Sequence, residues 1–394
     1  MTHPVASTLP PLALDRLPEV AAKIAERAEQ HDREASFPHE SVAQVHEAGL
    51  LTATVAAQYG GPGAGLATVV EILRVLGAAD PSVALVTAMT LFTHAAQAVS
   101  PSWPAGHYRQ LLEDSGTGPA LVNALRVEPE LGTPARGGLP ATIARRDPET
   151  GDWLLTGHKI FSTGAVGLHW FSVWARTEEE PPRVGAFLVR ADSPGEVAGL
   201  RIDPTWDHLG LRASRSDDVH LDNVRIPVEA TSGLVDPTAT DPRRDPGLAA
   251  WNNLGLTALY LGVAQAARDW LVTFLNERVP SALGKPLAAV PRFQAEVGQI
   301  EAQLVTAVDL VSALAVRFDA GDPEAARHAP AAKLIGTRAA IDAVERAVAL
   351  VGNNALTRRN PLERHLRDVL CARVHTPQDD SILAALGQAA LSRN

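Results

Sequence analysis

Near the C-terminus the chain reads RDVLCARVHTPQDD, from Arg367 to Asp380. His375 is the residue there whose ordinary pKa, about 6.5, lets it give and take protons near neutral pH. The competing role for it is structural, as a helix-end histidine bonded to a last-turn carbonyl. Asp379 and Asp380 stand where they would cap the following helix, SILAALGQAAL. Cys371 reads as a buried helix residue, the usual fate of a free thiol.

Two further segments carry groups that suit a polar ligand. GHKIFSTGAVG (157–167) ends a strand-like run in Ser162, Thr163 and Gly164. Short hydroxyls beside glycine let side-chain oxygens and backbone amides approach a flat ligand edge, although an ordinary hairpin turn uses the same residues. WDHLGLRASRSDDVHLDNVRIP (206–227) gathers Arg212, Ser214, Arg215 and Ser216, a set that suits a diphosphate or carboxylate if it is more than a surface turn.

Other chemistries lack an anchor. His31, His39 and His46 have neither HExxH spacing nor an i, i+4 pair, so no metal is expected. YGGPGAGL precedes a helical pattern without following a strand, which argues against a dinucleotide fingerprint. Neither GxSxG nor GKS/T occurs.

The bulk composition sets limits. Of 394 residues, 46% are apolar and 20% charged, an ordinary globular balance. A formal charge of −10 excludes a general nucleic-acid binder, because phosphate contacts need clustered Lys and Arg. The single cysteine excludes an intrachain disulfide and fits a reducing cytoplasm. MTHPVASTLPPLALDRLPEV lacks the basic and apolar regions of a signal peptide, and no run offers about 20 uninterrupted apolar residues for a membrane span. The expectation is a cytoplasmic protein with no membrane partner.

The elements that must position these groups fall into three regions. Residues 12 to about 118 carry helical apolar spacing, as in LPEVAAKIAERAEQHDREA and LATVVEILRVLGAADPSVALVTAMTLFTHAAQAV. From 119 to 233 short β-branched and aromatic runs alternate with Gly, Asp and Pro, the pattern of strands in a barrel or sandwich. Beyond about 245 long Ala/Leu/Val-rich segments predict a helical bundle. The fold class is therefore α+β. Its expected domains are an all-α domain over 1–118, a β domain over 119–233 and an α-helical bundle over 234–394.

In that order the segments resemble the acyl-CoA dehydrogenase superfamily of flavoproteins over nearly the whole chain. GDWLLTGHKIFSTGA, GLRASRSDDVHLDNVRIP and ALVGNNALTRRNPLERHLRDVL are similar to three of its motifs, at family spacing. The resemblance implies a four-helix C-terminal bundle, FAD as cofactor (with FMN an alternative) and a homotetramer. It places Phe161 against the isoalloxazine, with Ser162 beside it and Thr163 near the flavin N5. NALRVEPELGTP resembles the family's T-E-P-G-x-G-S loop, matching Glu128 and Gly132, with Thr133 at the diphosphate-contacting position and Val127 departing from the expected threonine. Arg278 resembles the arginine that reaches a neighbouring subunit's FAD. Gly352 keeps the first glycine of the partner-subunit loop, where Asn353 and Asn354 depart from the pattern.

The resemblance also bears on the opening stretch. Where typical members carry a glutamate that abstracts the substrate α-proton, this chain has Thr376, and no Glu lies between 250 and 276, where others carry theirs. His375 instead resembles a histidine of the family's flavin monooxygenase branch, whose members are similar to dibenzothiophene monooxygenase, and His94 a second histidine of that branch. The implied function is a flavin-dependent oxidoreductase acting on an acyl thioester or related small molecule. A monooxygenase fed with reduced flavin by a reductase, and a non-catalytic flavin- or CoA-binding protein, are the alternatives. A flavin reductase or electron-transfer protein is the implied partner.

Overall fold

In the computed structural model, residues 9–131, 138–237 and 245–392 are described. The N-terminal region is helical: α1 (Leu17–Glu34), α2 (His39–Glu47), α3 (Leu66–Ala79), α4 (Pro81–Val99) and α5 (Ala105–Thr117). The α4 helix starts sharply because the Asp80 carboxylate accepts from the amides of Ser82 and Val83, with Pro81 at the first turn. Its length and composition, like those of α7 below, would suit a membrane span, yet most of α4 is buried in the protein core.

Eight strands follow: β1 (Leu121–Leu125), β2 (Ile143–Arg146), β3 (Trp153–Lys159), β4 (Leu168–Thr177), β5 (Val184–Arg190), β6 (Leu200–Asp203), β7 (Asp218–Ile226) and β8 (Thr231–Val235). The sheet order is β6-β7-β3-β2-β4-β5-β8, and β1 also pairs with β4. Both β1 and β2 run parallel to β4, and the remaining ladders are antiparallel. The alternation in β3, with Trp153, Leu155 and Lys159 buried and Thr156 exposed, is that of a strand covered on one face.

The C-terminal region is built on α6 (Pro246–Glu277), α7 (Pro291–Asp319) and α8 (Pro323–Val351), followed by the shorter α9 (Asn353–Leu356), α10 (Leu362–Leu370) and α11 (Asp379–Leu391). The helical regions meet at a backbone-close crossing of α3 with α6. A Cβ on Gly262 would lie 2.1 Å from the Arg74 carbonyl oxygen, and one on Gly77 2.3 Å from that of Leu259. At the other end, the Asp319 carboxylate closing α7 accepts from the amides of Leu66 and Ala67 and so caps α3. These contacts set the N-terminal helices against the bundle, with the sheet's loops between them.

Candidate active site

The loop after β3 packs against the loop before β7. The Thr163 carbonyl accepts from Asn123 Nδ2 at 3.0 Å, and its hydroxyl accepts from Ser216 Oγ at 3.2 Å. Ser216 Oγ is in turn 2.8 Å from Ser214 Oγ, giving a row of three hydroxyls. Ser162 is buried, and its Oγ has no partner among the described residues. Phe161 takes a left-handed backbone, φ 56°, and the residue is 52% exposed. Beside it Trp206 and His208 stack at 3.6 Å, with the Phe161 ring edge-on to both. A strained backbone that holds an aromatic ring open to solvent, next to hydroxyls, fits a flat aromatic group such as the isoalloxazine of a flavin. The two arginines of this loop turn to protein acceptors instead: Arg212 to the Asp32 carbonyl and Arg215 to Asp217.

Glu128 and Lys159 form the buried floor under this loop. Lys159 donates at 2.5 Å to Glu128 Oε1 and at 2.5 Å to the Trp174 carbonyl. Glu128 also accepts from the Thr142 hydroxyl and amide and from the Ala141 amide. Burial works to raise the Glu128 pKa, but Lys159 and Thr142 outweigh it and hold the carboxylate below its ordinary range. Burial lowers Lys159 to about 8. With both carboxylate oxygens taken by protein donors, Glu128 braces β3 rather than offering itself to a ligand.

On the bundle side, polar residues of α6 and α8 grip the segment 375–377. Asn252 and Tyr260, eight residues apart, share one face of α6. Asn252 Nδ2 donates to the Thr376 carbonyl at 2.9 Å, and the Tyr260 hydroxyl lies 3.0 Å from His375 Nδ1. Lys333 of α8, almost wholly buried, donates to the carbonyls of His375 at 3.0 Å and Pro377 at 2.7 Å. Burial lowers Lys333 to about 8, against the pull of Asp379. His375 is held down to about 4 by burial and then by the Lys333 ammonium, so its ring is neutral near pH 7. Tyr260 is fully buried, and burial raises its pKa well above the ordinary phenol value. Its hydroxyl finds no other partner among the described residues and therefore donates to Nδ1, since an unmade buried donor costs about 1–3 kcal/mol. The neutral ring then carries its proton on Nε2.

His375 and Thr163 do not meet directly. No bond joins them among the described residues, and the Nδ1 side of the ring faces α6. The two sides are linked through segment 206–211, where the Leu211 amide donates at 2.8 Å to Asp368 of α10. Burial raises Asp368 to about 7, while the Leu211 amide works to lower it. His94 lies on a stripe of α4 with Val86 and Thr90, at a spacing of four residues. Thr90 Oγ1 accepts from the Val122 amide of β1. His94 Nδ1 is 3.1 Å from the Tyr108 hydroxyl, its Nε2 is buried without a partner among the described residues, and burial lowers its pKa to about 4.

Two further expected positions lie at helix ends of the C-terminal region. Arg278 closes α6 with an exposed side chain that has no partner among the described residues, and Gly352, at φ 60°, starts α9. Gly132 and Thr133 lie outside the described residues. Sequence reasoning missed Asn123, Asn252 and Lys333. The visible signal was weak: an asparagine pair and one tyrosine in an apolar helix, and a single lysine in APAAKLIG.

Two helical regions packed on each other beside a sheet, whose loops present an aromatic platform and hydroxyls, form the frame of the site. The chain belongs to the acyl-CoA dehydrogenase superfamily of flavoenzymes. The N-terminal, middle and C-terminal domains of acyl-CoA dehydrogenase match residues 19–100, 127–224 and 254–379. A putative acyl-CoA dehydrogenase of Bacillus subtilis, YdbM, is 31% identical over 95% of each chain. L-evernosamine nitrososynthase of a Micromonospora species is 31% identical over 93% of this chain and 85% of its own. The structure of KijD3 with FMN and a dTDP-linked amino keto sugar superposes with a TM-score of 0.78 at 28% identity, covering 98% and 96% of the two chains. Dibenzothiophene monooxygenase of a Paenibacillus species shares the fold at a TM-score of 0.82 and 21% identity, over 97% of each chain.

Proposed function

We propose that the protein is a flavin-dependent monooxygenase that uses reduced flavin and dioxygen on a small organic substrate. The observation that carries this reading is a neutral imidazole, His375, next to position 376, where the family resemblance leads one to expect a carboxylate base. Position 376 is threonine, the one acid between 250 and 276, Asp269, is exposed, and the His375–Thr376 segment is fixed by Tyr260, Asn252 and Lys333. Abstraction of a thioester α-proton needs a base poised near the working pH, which a threonine hydroxyl is not. The similarity to the nitrososynthase and to FMN-bound KijD3 supports the same choice.

In this reading Phe161, Thr163 and Ser216 hold the flavin ring, with Arg278 and Gly352 contributed to a neighbouring copy. When bound, the flavin supplies the two-electron redox chemistry and, in its reduced form, the reaction with dioxygen. His375 contributes the Nε2 proton as a hydrogen bond to the oxygen being transferred, and Tyr260 fixes that tautomer. His94, paired with Tyr108, presents a buried Nε2 from the N-terminal side. One oxygen atom of dioxygen enters the substrate and the other leaves as water, with the electrons supplied through a reductase.

Likeness to YdbM favours a second reading, oxidation of an acyl thioester with transfer of electrons to a separate acceptor. The two separate cleanly. With reductase, FMN and labelled dioxygen, the first requires label in a product from an amine-, thioether- or indole-type substrate. Absence of label across such a panel, with desaturated acyl-CoA formed instead, establishes the second.

A further inference from the structure

On the outer face of the sheet, at the strand ends next to the loops described above, three strands bring metal-binding side chains to one patch. His158 of β3 stands directly opposite His220 of β7 in the antiparallel register. Asp218 precedes His220 by two residues, so it points to the same face. Asp203 of β6 pairs with Asp218 across the next ladder. The two imidazoles stack at 4.0 Å with 20° between their planes. His158 Nε2 lies 2.8 Å from Asp218 Oδ2, and His220 Nε2 lies 3.1 Å from Asp203 Oδ2. One ligand atom from each of His158, Asp218 and His220 falls within 4.8 Å of the other two.

From this geometry we infer that His158, Asp218 and His220 form a surface site for a divalent transition-metal ion of the zinc type. Two imidazoles and a carboxylate are a borderline donor set that suits such an ion, whereas magnesium and calcium take oxygen ligands. Metal–ligand distances of about 2.0–2.2 Å require the wider donor separations to close by roughly an ångström and the His158–Asp218 pair to open slightly, a side-chain movement on a fixed strand framework. Thr205 Oγ1 donates to Asp218 Oδ1 at 2.9 Å, which orients the carboxylate and leaves Oδ2 for the ion. The Arg201 guanidinium pairs with Asp203. Asp203 therefore serves as the carboxylate that orients His220 rather than as a ligand, the usual arrangement around a metal-bound histidine. A fourth position is open to water.

The site ties β3 to β7 at the ends that lead into the Phe161–Thr163 loop and follow the Ser214–Asp217 loop. Its occupant would brace the two loops from the outside.

The test uses tag-free protein with its flavin in place, stripped by a chelator and titrated calorimetrically with zinc chloride and, separately, magnesium chloride. The expected result is one zinc per chain in the micromolar range or tighter, with no heat from magnesium. The double variant His158→Gln/His220→Gln should lose the zinc heat while keeping its flavin. Asp203→Asn should bind about 10- to 100-fold more weakly. In the wild type, zinc should protect His158 and His220 from diethyl pyrocarbonate, mapped by mass spectrometry, a readout that does not depend on any variant folding. Absence of zinc heat in the wild type, undiminished heat in the folded double variant, or equal modification of both histidines with and without zinc overturns the proposal.

Discussion

The Tyr260 hydroxyl and His375 Nδ1 lie 3.0 Å apart, and this one bond decides which nitrogen of the imidazole faces outward with a proton. The same pairing recurs between Tyr108 and His94, where the separation is 3.1 Å. In both pairs a buried phenol with a raised pKa meets a histidine whose pKa is lowered to about 4. Burial keeps each imidazole neutral across the physiological range, and the Tyr260 bond sets the tautomer of His375.

If His375 moves a proton at Nε2, His375→Ala should lower turnover by on the order of 10²–10⁴-fold while flavin content and folding are kept. Tyr260→Phe should give a smaller loss and spare substrate binding, because it frees the tautomer without removing the ring. Steady-state kinetics on both variants checks this. Equal rates in wild type and His375→Ala would reduce the residue to a bonded loop position.

The flavin platform predicts a different signature. Thr163→Val removes one hydroxyl of the Ser214–Ser216–Thr163 row and should weaken flavin binding roughly fivefold, the equivalent of about 1 kcal/mol. Phe161→Ala should weaken it further by deleting the exposed ring. Equilibrium dialysis of the flavin gives the answer, and unchanged affinity in both variants would move the flavin elsewhere.

Acid should destabilise the protein through its buried histidines. The folded-state pKa of His94, about 4, lies below the unfolded value near 6.5. Between those values the unfolded chain binds a proton that the folded one refuses, so stability falls as pH drops from 6.5 towards 4 and then levels. His94 alone accounts for roughly 3 kcal/mol over that window. Asp368, raised to about 7, works in the opposite direction and is common to wild type and variant. Denaturant unfolding of His94→Gln should therefore show a shallower acid decline than the wild type. Parallel curves would contradict the assigned burial.

The close crossing of α3 and α6 sets a packing prediction. Gly262→Ala forces a methyl against the Arg74 carbonyl and should cost about 1–3 kcal/mol. Gly106→Ala, where a Cβ meets nothing within 4 Å, should stay within about 0.5 kcal/mol. Thermal unfolding of the pair tests whether the two helical regions are held as closely as described.

Helix, sheet and helix were legible in the sequence because each region keeps one hydrophobic period over many residues, 3.6 in LATVVEILRVL and 2 in DWLLTGHK. His375 stood out by its chain position. Its partners did not, because Tyr260 and Lys333 lie 115 and 42 residues away and nothing local to either predicts the bond. Glu128 shows the converse. Its match to a cofactor loop suggested a ligand contact, whereas the fold surrounds its carboxylate with Lys159, Thr142 and Ala141. Strand register likewise decides that His158 meets His220, although the D-x-H alternation of Asp218 and His220 already placed those two on one face.

The central claim is that this site lacks the carboxylate base of a thioester dehydrogenase and works instead with reduced flavin and dioxygen. The most direct measurement is an anaerobic titration of the flavin-loaded protein with saturated acyl-CoA thioesters of short to long chain, followed through the visible flavin absorbance. The account predicts no bleaching with any of them, and rapid reoxidation by dioxygen once the flavin has been reduced chemically. Stoichiometric bleaching by an acyl-CoA, with the matching enoyl-CoA recovered, would contradict it.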